Sequence, residues 1–113
     1  MSLISIGQLQ ALGQSTRLDL FKALVRAEPH GLLVGELADA LHLKANTTSM
    51  NLNRLLIAGL VSSTREGKSV RYRADLHGIE SLISYLLEDC CAGDPTLCAT
   101  IRSHLDHACQ EAL

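Results

Sequence analysis

Three cysteines fall within nine residues of this 113-residue sequence: Cys90, Cys91 and Cys98. Six residues, Ala92 to Leu97, separate the adjacent pair from the third, so the loop that returns Cys98 to the pair closes at low entropic cost. Three thiolates so placed can close on one small thiophilic ion, because soft sulfur ligands select soft ions. Asp94 is a good helix N-cap and Pro95 suits a first turn, so Cys98 falls in the opening turn of a last helix, where the dipole favours a thiolate. A fourth thiol, Cys109, lies eleven residues after Cys98. Along a continuous helix that is about 16 Å, too far to share an ion within one chain. Zn(II) or Cd(II) would want a fourth ligand, for which Asp94, His104 or His107 stand near but at no motif spacing. Structural cysteines with no ligand are the plain alternative.

The sequence shows no basic leader followed by an apolar run, and no stretch approaches the roughly 20 apolar residues of a membrane span. A cytoplasmic location is expected. Thiols there are mostly reduced, which favours metal binding or thiol chemistry over disulfides. Hydrophobic residues make up 47% of the chain, enough for a core, but aromatics only 3% (Phe21, Tyr72 and Tyr85). So few rings argue against a base-stacking platform for single strands. The length suits one domain, expected over residues 1–113 with a C-terminal segment from about residue 76 for sensing and dimerisation.

The elements that must position these thiols read as mainly helical. Ile4, Ile6, Leu9 and Leu12 suggest a first helix over 4–13. Ser15 is a good N-cap for a second, with Leu18, Phe21, Leu24 and Val25 at helical spacing and a stop before Pro29. Gly31 marks a turn. A third helix over 34–41 turns Leu37, Ala38 and Leu41 inward. His42-Leu43 leaves room only for a tight turn before a fourth helix over 45–58, which Gly59 ends. Two short helices so joined make a helix-turn-helix. Residues 60–64 and 69–74 read as strands joined by a turn at Arg65-Glu66-Gly67-Lys68, a hairpin wing. A fifth helix carries Leu76, Ile79, Leu82, Ile83, Leu86 and Leu87 and ends near Cys90 to Gly93; Leu97, Ile101, Leu105 and Ala108 line a sixth. The surplus of apolar positions on the first helix and from Leu76 onward suggests a homodimer. The expected fold is mainly α with a small β-hairpin wing: a dimeric winged helix-turn-helix.

The net charge is −2, yet residues 44–73 hold six basic residues against Glu66 alone, a local +5. A basic segment on an acidic body is a plausible footprint for double-stranded DNA. On the fourth helix Asn46, Thr47, Ser49, Met50 and Asn53 fall outside the apolar stripe, with Lys44 and Asn51 near its edge. Asn and Ser or Thr can read base edges. Arg65, Lys68, Arg71 and Arg73 of the wing suit phosphates better than bases.

The order of elements resembles the winged-helix arsenic-responsive repressor (ArsR/SmtB) family. The stretches that carry the likeness are Ala11 to Phe21, similar to the family's opening "LG-x-x-x-R" pattern, and Leu41 to Val61; with the wing they span residues 8–77. The resemblance implies a homodimeric repressor that leaves its operator when an ion binds. Members with the best-known arsenic site keep Cys-x-Cys before the recognition helix, but Gly35 to Leu41 holds no sulfur. The Glu88-Asp89-Cys90-Cys91 … Cys98 pattern instead resembles arsenite sensors with thiols after the fifth helix. As(III) bonds to three thiolates in a trigonal pyramid, and Sb(III) is an equal candidate. A zinc-binding branch begins its site with Asp-x-His; Asp75-Leu76-His77 resembles that start, but its second half needs histidine where Glu88 stands. Responses to Zn or Cd, or thiol redox sensing, remain open alternatives, as does a dimerisation or adaptor module on the same scaffold. An enzyme is not expected: the sequence has no Ser/His/Asp set, no phosphate-cradling loop and no anion loop for arsenate reduction.

Overall fold

A computed structural model describes residues 3–90, with side chains from Ile4 to Leu87, and beyond them Thr96, Ala99, Thr100, Ser103 and His104. The chain divides into two compact units, Met1–Leu82 and Ile83–Leu113. The elements run α1 (Leu3–Leu12), α2 (Ser15–Arg26), β1 (Leu32–Leu33), α3 (Val34–Ala40), α4 (Ala45–Ile57), β2 (Val61–Glu66), β3 (Ser69–Ala74) and α5 (Leu76–Cys90).

The core of the first unit gathers one stripe from each helix. Leu20, Phe21 and Leu24 of α2 meet Leu37 of α3 and Leu52 and Leu55 of α4, beneath Tyr72 of β3. The α2 stripe sits slightly round from the expected one: Leu18 and Val25 are exposed, and Leu20 is fully buried. Its N-cap also differs. Gln14, not Ser15, holds the extended cap geometry, and its side-chain oxygen accepts from the Arg17 amide at 2.8 Å. The longer side chain reaches that amide from one residue further back.

Helix α1 is turned against the usual pattern. Its buried face is Ser5, Gln8 and Ala11, while Ile4 is 71% and Leu9 44% exposed. The buried Gln8 is held by its Nε2, which donates to the Gly78 carbonyl at 3.2 Å. A methyl at Gly78 would collide with the Gly59 carbonyl, so α5 starts against the backbone that ends α4. Asp75 caps α5: its Oδ1 accepts from the amides of His77 (3.1 Å) and Gly78 (3.2 Å).

The β-sheet has three strands in the order β1-β3-β2, all antiparallel neighbours. The hairpin register runs from Val61 opposite Ala74 to Glu66 opposite Ser69. Its turn is therefore only Gly67-Lys68, two residues tighter than expected, with Gly67 at φ 64°, where a residue lacking Cβ is unstrained. Strand β1 pairs Leu32 with Tyr72 and Leu33 with Arg71, which anchors the wing's inner strand on both sides. The reading of Gly31 as a bare turn missed this strand.

In the second unit the end of α5 exposes Ile83 and Leu86. Thr96, Ala99, Thr100, Ser103 and His104 are helical and exposed, and the Thr100 hydroxyl donates to the Thr96 carbonyl at 3.0 Å. Cys91, Cys98, Cys109, His107, the Cys90 side chain and the apolar face proposed for the sixth helix lie outside the described residues.

Candidate nucleic-acid interface

Helices α3 and α4 are joined by a turn that the backbone itself fixes. His42 takes φ 55°, and the Leu43 amide donates to the Ala38 carbonyl at 2.8 Å. Lys44 holds the N-cap of α4 in extended geometry. Thr48 is fully buried, its hydroxyl donating to the Lys44 carbonyl at 2.9 Å. Leu52 and Leu55 complete the inner face. These anchors turn Asn46, Thr47, Ser49, Met50 and Asn53 outward, and all five side chains are exposed. Met50 is 66% exposed, a large apolar group among these polar neighbours.

Asn51 has a different role from its neighbours. Its Oδ1 accepts from Arg17 Nη1 at 3.2 Å, and its Nδ2 donates to the Thr47 carbonyl at 2.9 Å. Arg17 also donates through Nε to the Ala11 carbonyl at 2.7 Å and through Nη2 to the Gln10 carbonyl at 3.5 Å. One guanidinium thus reaches two carbonyls at the end of α1 and ties them to α4. Arg17 closes the "LG-x-x-x-R" stretch; the sequence marked the position, while its partner across 34 residues became visible only in three dimensions.

The wing divides its cations in two. Arg71 Nε donates to Glu66 at 2.7 Å, and Arg73 Nη2 to Glu28 at 3.0 Å. Arg71 reaches further, to the carbonyls of His30 (3.4 Å) and Gly31 (3.5 Å). The hydrogen bond to Glu66 raises the Arg71 pKa above its ordinary value. Arg65 and Lys68, at the tip, are exposed and have no acidic partner among the described residues; nor do Lys44 and Arg54 at the two ends of α4. Unpaired positive charge among the described residues thus includes the wing tip and the two ends of α4, along with Lys22 and Arg26 on α2.

Among the described residues, no group of three or more His, Cys, Asp or Glu could hold a metal. Asp75, the start of the zinc-like motif, is occupied in capping α5, and His77 lies 3.7 Å from Glu80 in full exposure. No helix among those residues is long and apolar enough to cross a membrane.

A two-helix reader with an outward polar face, flanked by a hairpin with free cations, defines a winged helix-turn-helix DNA-binding domain. Comparison with known proteins agrees. The helix-turn-helix domain family matches residues 12–64. An ArsR-like transcriptional regulator from Rhodococcus sp. RHA1 is 25% identical, with 88% of this chain and 91% of that one covered and a TM-score of 0.70. A protein described as a possible transcriptional regulator for arsenical resistance is 29% identical over 70% of this chain and 79% of its own, with a TM-score of 0.61. The homodimeric winged helix-turn-helix domain of Mb0332 from Mycobacterium bovis shares the fold at 24% identity, 80% and 82% coverage and a TM-score of 0.60. No curated protein matches the sequence. The chain is a transcriptional regulator with a helix-turn-helix DNA-binding domain, similar to regulators of the ArsR type. The matched family and these neighbours are DNA-binding regulators, not enzymes.

Proposed function

We propose that this regulator is a repressor that binds operator DNA as a homodimer and is released when As(III) or Sb(III) binds Cys90, Cys91 and Cys98. The observation that carries the reading is the sequence pattern itself: three thiols in nine residues, beginning at the last residue of α5 and following a complete DNA-binding domain. The similarity to a possible regulator of arsenical resistance supports the ligand class. The outward apolar groups Ile4 and Leu9 on α1, and Ile83 and Leu86 on α5, support the dimer, as does a homodimeric neighbour of the same fold.

Joining the start of the last helix to the end of α5 through one ion would reset the dimer seam. That would change the spacing of the two recognition helices, which must match successive major grooves. The ion acts only through its different affinity for the two states, and typical couplings of about 1–3 kcal/mol correspond to roughly 5–150-fold in DNA affinity. The test is a gel shift with the purified full chain under reducing conditions, with and without arsenite. Wild type should be released. Serine at Cys90, Cys91 or Cys98 should leave DNA binding intact and abolish release, and Cys109→Ser should behave as wild type. If Cys98→Ser still releases and Cys109→Ser does not, the ligand set is wrong. Release by Zn(II) or Cd(II) but not arsenite would reassign the ion.

A further inference from the structure

Asn46, Met50 and Asn53 stand at i, i+4 and i+7 on α4, which places them on one stripe of the helix. All three are exposed, and Met50 lies between the two amides. The stripe is about 10 Å long at 1.5 Å per residue, roughly three base pairs at 3.4 Å each. It carries no guanidinium or ammonium, the groups that recognise guanine through O6 and N7. The basic residues of α4, Lys44 and Arg54, stand toward its ends instead. A carboxamide pairs in two-pronged fashion with adenine N6 and N7, and an apolar side chain in the major groove has one apolar group to meet, the thymine 5-methyl. Thr47 and Ser49 beside the stripe accept either base type.

We infer that this stripe reads a core of A·T pairs in each operator half-site, with Met50 seated against a thymine methyl and Asn46 and Asn53 on adenines. The inference rests on the DNA-binding reading above and adds the base identity that the face selects. Met50 is the specificity-determining residue. In the free protein Met50 is 66% exposed, and in the major groove a thymine methyl is the apolar group that can cover it.

The experiment begins with selection of binding duplexes from a randomised pool by the full chain. Each thymine of the selected half-site is then replaced singly by deoxyuridine, which removes the 5-methyl and nothing else. One position per half-site should weaken binding about fourfold in wild type, the loss expected for about 0.8 kcal/mol of methyl burial. Met50→Ala should bind wild-type and deoxyuridine duplexes equally, and Met50→Leu, which keeps an apolar tip, should restore the difference. Because Met50 is exposed, neither variant disturbs the core. Replacing adenine by 7-deazaadenine should weaken binding at two further positions, and Asn46→Ala and Asn53→Ala should each abolish one of those effects. A selected core of G·C pairs overturns the inference, and so does a deoxyuridine effect that Met50→Ala retains. A wild type indifferent to every deoxyuridine overturns it as well. These outcomes leave DNA binding itself standing, whereas failure to select any duplex would sink the DNA-binding reading with it.

Discussion

Helices α1 and α4 turn opposite chemistry outward. Helix α4 buries Leu52 and Leu55 and shows solvent a largely polar face that also carries Met50 and, at its end, Ile57. Helix α1 buries Ser5 and Gln8 and shows solvent Ile4 and Leu9. A polar outer face with free cations at its ends suits a hydrated, charged partner such as DNA. An outer face with exposed Ile4 and Leu9 suits another protein surface. The two helices differ in outer face because they differ in which residues the core accepts. Gln8 is tolerated inside α1 because Gly78 offers it a carbonyl.

The largest expected effect tests the inner side of α4. Leu55→Ala should destabilise the domain by about 2–5 kcal/mol through lost burial and the remaining cavity. Ile57→Ala, two residues on but 79% exposed, should change stability by less than about 0.5 kcal/mol. Urea unfolding of both variants measures the difference; equal losses would mean that α4 presents another face to the core.

Next in size is the outer side of α1. Ile4→Glu with Leu9→Glu should leave the helical circular dichroism of the protein unchanged, since both positions are exposed. In a dimer seam, however, an unpaired buried charge costs about 3 kcal/mol or more, a hundredfold or more in dimer dissociation. Sedimentation should then report one chain at concentrations where wild type is paired, and operator affinity should collapse with it. An unaltered sedimentation mass would remove α1 from the seam and leave its apolar face unexplained.

Between the two helices stands Arg17. Replacing it by Ala should lower stability by about 1–3 kcal/mol, because a charged donor to the α1 carbonyls and to Asn51 is lost. A double-mutant cycle with Asn51→Ala isolates the link. Additive losses would show that the two helices are held independently.

Much of this organisation was legible in the sequence. The alternation of Leu52 and Leu55 with polar residues gave α4 its faces, and the glycine in the wing gave the hairpin. Other features had no local signature. Strand β1 is two residues long, too short for any period, and exists because β3 offers an unpaired edge. The cap at Gln14 depends on side-chain reach rather than on residue preference. Asn51 looked like its exposed neighbours on α4, since nothing near it in the chain announces Arg17. The ion pairs of Arg71 and Arg73 arise from register and from a loop 45 residues away, so composition counted all four wing cations alike.

The smallest effect separates those four cations. Each phosphate contact contributes about 0.9 to the slope of log affinity against log salt. Arg65 and Lys68 are exposed and without an acidic partner among the described residues, so each is free to displace a counterion from DNA. Arg71 and Arg73 must first give up Glu66 and Glu28, and the net release of ions on DNA binding is correspondingly reduced. Arg65→Ala and Lys68→Ala should therefore each lower the slope by about one unit, whereas Arg71→Ala and Arg73→Ala should lower it by clearly less. Glu28→Gln sharpens the comparison. With its carboxylate gone, Arg73 becomes a free cation, and the slope should rise toward that of one further phosphate contact. Equal slopes for all four alanine variants would show that the ion pairs open on DNA, and that the wing presents its arginines as one surface.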